Sequence, residues 1–131
     1  MYKGNIIGVT ASSDTNLPFN TVIQSNNKVS YDSSTNSILI KNTGYYEADI
    51  HLVLTGVAVG NITVSLIANG TALTEAQAIE TSSATTDSIT VDLHDVFKVN
   101  PYTTNNYANL SVQLSGACTV TSGVATVKEI Q

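Results

Sequence analysis

The chain has 131 residues, a formal net charge of −5, five lysines and only 11% charged residues. Lys3, Lys28, Lys41, Lys98 and Lys128 are scattered, which argues against a nucleic-acid backbone or an anionic membrane as partner. The single cysteine, Cys118, excludes an intrachain disulfide, so stability must come from a core or from oligomerisation.

The length suits one domain over residues 1–131. Polarity comes mainly from Ser, Thr and Asn, which compete with helical backbone bonding and favour an all-β chain. Met1 to Asn5 lacks the apolar run and cleavage site of a signal peptide, so a soluble product without classical secretion is expected. Leu52 to Ala68 is apolar but interrupted by Gly56, Gly60 and Asn61, and reads as strands rather than a membrane span.

In chain order, Ile6 to Thr10 reads as a first strand, and Ala11 to Asn16 as a polar loop. Leu17-Pro18-Phe19-Asn20 buries an apolar pair, with Pro18 enforcing an extended entry. Thr21 to Gln24 and Lys28 to Tyr31 are short strands around a hairpin-like break at Ser25-Asn26-Asn27. Asp32 to Asn36 is a turn, and Ser37 to Lys41 is a strand. Asn42-Thr43-Gly44 leads into a long alternating strand. Tyr46, Ala48, Ile50, Leu52 and Leu54 occupy one face of it; Tyr45, Glu47, Asp49, His51 and Val53 occupy the other. That second face is unusually charged for a strand.

Ile62, Val64, Leu66 and Ala68 alternate up to Asn69-Gly70. This pair accepts positive φ at both central positions, the requirement of a type I′ hairpin. Ala72 to Glu80 is rich in Ala and Glu, so a short helix competes there, but the hairpin signal favours a return strand. Thr81 to Thr86 is a polar loop.

Ser88 to Lys98 is the second long alternating strand. Ile89, Val91, Leu93 and Phe97 face inward; Thr90, Asp92, His94 and Val96 face outward. Asn100 to Asn106 forms a loop. Tyr107 to Ser115 places Ala108, Leu110, Val112 and Leu114 inward and Asn109, Ser111, Gln113 and Ser115 outward. Gly116 to Gly123 is a turn region, and Val124 to Ile130 is the last strand. About ten strands and no firm helix predict a sandwich or jelly roll.

Leu17-Pro18-Phe19-Asn20, Val29-Ser30-Tyr31-Asp32, Gly44-Tyr45-Tyr46 and Ile67-Ala68-Asn69-Gly70, in this order and spacing, resemble the C1q/TNF-like jelly-roll family. The resemblance runs from about Leu17 to Ile130. It implies a ten-strand jelly-roll sandwich assembling as a homotrimer, with the two long strands adjacent in the inner sheet. The Thr/Asn/Ser-rich composition is similar to that of phage and bacterial members. The function this implies is a non-enzymatic virion structural protein, a capsid decoration or fibre head, acting in assembly or surface attachment. The location implied is a virion or an extracellular surface, with other virion proteins as partners. The alternative is a receptor- or carbohydrate-binding adhesin module of the same fold.

The resemblance also directs attention to the histidines. His51 and His94 each follow an aspartate by two residues, Asp49 and Asp92, so each pair shares a face. Tyr45, Glu47, Asp49, His51, Asp92 and His94 are the residues expected at the trimer interface. Solvated polar residues are the plain reading of the His/Asp set. The sharper reading is a pH-sensitive interface, or a cation site with His51, His94, Asp49 and Asp92 as ligands. No cofactor is expected. No Gly-x-Ser-x-Gly, His-Glu-x-x-His or phosphate-cradling glycine loop is present, and a small hydrolase is the disfavoured third reading. Cys118 reads as a small buried or strand-end residue, with no acid or His beside it to activate the thiol. Asn61-Ile62-Thr63, Asn69-Gly70-Thr71 and Asn109-Leu110-Ser111 fit the glycosylation pattern by chance in so Asn/Thr-rich a chain. Tyr2, Tyr102 and Tyr107 are expected near loops or ends, where tyrosines can stack on sugars. Loops Ala11–Asn16, Thr81–Thr86 and Asn100–Asn106 are the places expected to meet partners.

Overall fold

The computed structural model describes residues 1–19, 21–25, 28–99 and 108–130. The strands are β1 (Tyr2–Ala11), β2 (Thr21–Gln24), β3 (Val29–Asp32), β4 (Ser37–Ile40) and β5 (Gly44–Thr55), followed by β6 (Gly60–Ala68), β7 (Thr71–Ser82), β8 (Ile89–Val99), β9 (Ala108–Leu114) and β10 (Cys118–Glu129). They form two five-stranded sheets, β2-β1-β10-β5-β8 and β3-β4-β9-β6-β7. The pairings between neighbouring strands are antiparallel, and no helix occurs among the described residues.

The core lies between the sheets and follows from alternation. On β5, Tyr46, Ala48, Ile50, Leu52 and Leu54 are all at most 2% exposed. On β8, Ile89, Val91 and Leu93 are buried; on β6, Ile62, Val64 and Leu66 are buried. Burying each large aliphatic side chain contributes about 1.5–3 kcal/mol. Phe97 is only half-buried and stacks on Tyr46 with ring centroids 6.5 Å apart.

The Asn69-Gly70 turn forms as expected. Ala68 pairs with Thr71, and the two loop residues have φ of 50° and 83°. The helical alternative for residues 72–80 therefore gives way to strand. The Asn69 N–H also donates to the Asn109 carbonyl, and the Asn109 N–H donates to Asn69 Oδ1, each at 2.9 Å. These bonds continue the β6–β9 ladder past its last backbone pair.

Several expectations change. Tyr2 is not at a loose end: it is fully buried, stacks on Tyr31 at 5.9 Å and donates its hydroxyl to the Phe19 carbonyl at 2.6 Å. Strand β1 starts four residues before Ile6 because pairing with β10 extends to Tyr2↔Val127. Gly4 opposite Val22 is required there, since an added Cβ would lie 2.1 Å from the Tyr2 hydroxyl. The segments Thr21–Gln24 and Val29–Asp32 are not a hairpin. The first pairs with β1 and the second with β4, so the chain crosses from one sheet to the other.

Residues 118–123, expected as a turn, belong to β10. The register shift between Val120 and Ser122 hides the alternation there. Gly123 lies within the strand, against Leu52. Ser111 faces outward on β9 yet is buried, because β9 is the middle strand of its sheet. Strand β7 runs on to Ser82, whose hydroxyl donates to the Val57 carbonyl at 3.0 Å, so the following loop is shorter than expected. Leu17 and Phe19 are buried as expected. The N–H groups of Asp14 and Leu17 donate to the Leu114 and Val112 carbonyls, which fastens this segment along β9. The predicted loop Asn100–Asn106, with Tyr102 and the neighbouring Tyr107, lies outside the described residues.

Candidate functional site

The charged residues singled out in the sequence meet on the outer face of the first sheet. Strand β5 is paired on both sides, with β10 and β8. Its odd-numbered side chains therefore stand on a rigid, twisted surface. The register sets Asp49 opposite His94 and His51 opposite Asp92. Each acid thus faces the histidine of the other strand, not the one two residues along its own.

His51 Nδ1 lies 2.5 Å from Asp92 Oδ1. His94 Nε2 lies 3.3 Å from Glu47 Oε2 and 3.8 Å from Asp49 Oδ1. Asp49, His51, Asp92 and His94 line a shallow depression of about 210 Å³, whose far wall is Val124 and Thr126 of β10. Tyr45 and Val96 are large apolar residues left 47% exposed on the same pair of strands. Lys98 Nζ lies 6.0 Å from the centre of the Tyr45 ring.

One participant was not foreseen. Lys128 pairs with Glu47 Oε1 at 3.0 Å. It gets there because β10 returns antiparallel to β5 with Lys128 opposite Glu47, a long-range register that no local pattern reveals. Lys128 first, and His94 second, hold the Glu47 carboxyl below the ordinary glutamate range. Asp95 of β8 was also unforeseen but lies off this face, with the inward parity of Leu93 and Phe97. Its Oδ2 is buried without a hydrogen bond, and burial, with the Glu75 charge second, raises its pKa. The alternation of β8, continued from Leu93 to Phe97, is the signal that could have placed Asp95 inward.

A further concavity among the described residues is a cleft of about 550 Å³ at one end of the sandwich, walled by Ile40, Leu73, Phe97, Val99 and Leu110, with Asn69 and Asn109 at its polar side. Cys118 is buried, and burial pushes its thiol pKa up, which keeps it a poor nucleophile.

No protein-family model matches the chain, and no curated protein matches its sequence. Its likeness is to solved structures. The chain superposes on the structure of Eiger TNF from S. frugiperda with a TM-score of 0.66 at 11% identity, covering 99% of this chain and 93% of that one. It superposes on PRD1 vertex protein P5 with a TM-score of 0.58 at 11% identity, covering 99% and 96%. Two antiparallel sheets of this strand order and these full-length superpositions show a jelly-roll sandwich fold like that of TNF.

Proposed function

We propose that the chain is a non-enzymatic structural protein of a phage virion, a trimeric jelly roll serving as a capsid decoration or fibre head. The observation that carries this reading is the likeness in fold, across nearly both whole chains, to PRD1 vertex protein P5. The proposed trimer contact is the outer face of β5 and β8: Tyr45, Glu47, Asp49, His51, Asp92 and His94. In its support, this face combines exposed apolar groups, Tyr45 and Val96, with a paired set of acids and histidines on a rigid sheet. Such a mixture suits a specific protein contact better than open solvent, since the charges set register while the apolar groups supply area.

Light scattering on the purified chain tests the assembly. The expected mass is three times the 13.8 kDa of one chain, and Asp49→Arg is expected to shift it to the single-chain value. A wild-type chain that stays monomeric at micromolar concentration contradicts the trimer. Co-sedimentation with phage capsids tests the virion role, and binding on a glycan array without capsid binding would favour the adhesin instead.

A further inference from the structure

We propose that Glu47, Asp49 and His94 form an open site for a divalent transition-metal ion. The three donor atoms lie within 4.8 Å of one another. They come from two adjacent strands whose register brings them together without loop closure. Metal bonds of about 2.0–2.1 Å at a tetrahedral centre put neighbouring donors about 3.3 Å apart. The His94 Nε2 to Glu47 Oε2 separation is 3.3 Å, and His94 Nε2 to Asp49 Oδ1 is 3.8 Å. The Glu47 and Asp49 donors lie within 4.8 Å of each other, so an ion seats once these two carboxylates draw together around it.

The imidazole separates this set from an ordinary acidic patch. One nitrogen and two carboxylate oxygens suit zinc and its neighbours, whereas calcium and magnesium favour all-oxygen shells. Lys128 holds Glu47 through Oε1 and leaves Oε2 directed at His94. A carboxylate oriented in this way from behind is the usual support of a metal ligand. His51 lies outside the set, because the donor atoms that gather within 4.8 Å are those of Glu47, Asp49 and His94 alone among the described residues. Three protein donors on one side of the ion leave its outer side for water or for a side chain of a partner. The site needs only one chain, so it does not rest on the proposed trimer.

Titration of the full-length protein with Zn²⁺ by calorimetry, with its mass followed by light scattering in the same samples, tests this. One Zn²⁺ per chain is expected, undisturbed by excess Ca²⁺ or Mg²⁺. His94→Ala and the double variant Glu47→Gln/Asp49→Asn should each weaken Zn²⁺ binding roughly tenfold or more. His51→Ala should leave it unchanged, and Tyr45→Ala should keep it whatever its effect on mass. The assignment is overturned by a wild-type chain that takes up no Zn²⁺, by His94→Ala binding as tightly as wild type, or by His51→Ala losing as much as His94→Ala. Loss of Zn²⁺ in a monomeric Tyr45→Ala overturns the single-chain site while leaving the trimer standing.

Discussion

The outer faces of the two sheets use the same alternating strands but differ in chemistry. On the second sheet neutral groups bond to one another: the Gln77 amide donates to Ser65 Oγ at 3.2 Å, the Thr81 hydroxyl to Asn61 Oδ1 at 3.0 Å, and the Thr63 backbone N–H to Ser115 Oγ at 2.8 Å. On the first sheet carboxylates meet basic groups: Asp92 lies beside His51, Glu47 beside His94, and Lys128 forms an ion pair with Glu47. Hydroxyls and amides donate as well as accept, so the neutral face satisfies itself whatever the pH or salt. Carboxylates only accept and lysines only donate, so the charged face depends on its partners and on solution conditions. That difference leaves the polar contacts of the first sheet sensitive to pH and salt, and the neutral contacts of the second indifferent to both.

Both faces rest on the shared core, and the largest expected effect comes from there. Leu52→Ala empties a fully buried position on β5 and should cost about 2–5 kcal/mol in urea unfolding. A loss no larger than that of a surface change would mean that the charged face is not supported by the packing described.

Alkali should act next. Burial, with the Asp32 charge second, pushes Tyr31 up to about 12, and burial, with Glu129 second, pushes Tyr46 up to about 12. Burial raises Tyr2 further still, with Tyr31 as the smaller cause. These folded values lie above the unfolded value of 10.0, so the unfolded chain sheds its protons first. Stability is then full below about pH 10 and falls as the pH climbs toward 12. Far-ultraviolet dichroism across that range should show the loss, and unchanged stability to pH 12 would contradict these buried phenols.

Tyr2→Phe removes the bond to the Phe19 carbonyl and leaves a buried acceptor unpaired, at an expected cost of about 1–3 kcal/mol. The charged face itself should respond less. Glu47→Gln is expected to lower the melting temperature slightly at low salt and not at all at high salt, because exposed ion pairs are screened. The Glu47 pKa is lowered in the fold, so its contribution is complete above the unfolded glutamate value and is lost as the pH falls through the folded one. Smallest of all, Gln77→Ala on the neutral face should change stability by about 0.5 kcal/mol or less, equally at every salt concentration. If Gln77→Ala instead proved as salt-sensitive as Glu47→Gln, the contrast between the two faces would collapse.

Local chemistry made much of this legible in the sequence. Period-2 alternation gave the inward faces of β5, β6 and β8, because side chains on a strand can point only two ways. Asn69-Gly70 gave its hairpin, because few residue pairs accept positive φ twice. The charged outer face of β5 was visible in the same alternation. Hidden features depended on contacts between distant segments. Tyr2 is a core residue only because β10 returns beside β1. Residues 118–123 form strand despite their broken pattern, because β1 and β5 pair with them on either side. The pairing of Asp49 with His94, of His51 with Asp92 and of Glu47 with Lys128 was decided by the registers of β8 and β10 against β5. Alternation names the face a residue occupies, but only the long-range register chooses the neighbour it meets there.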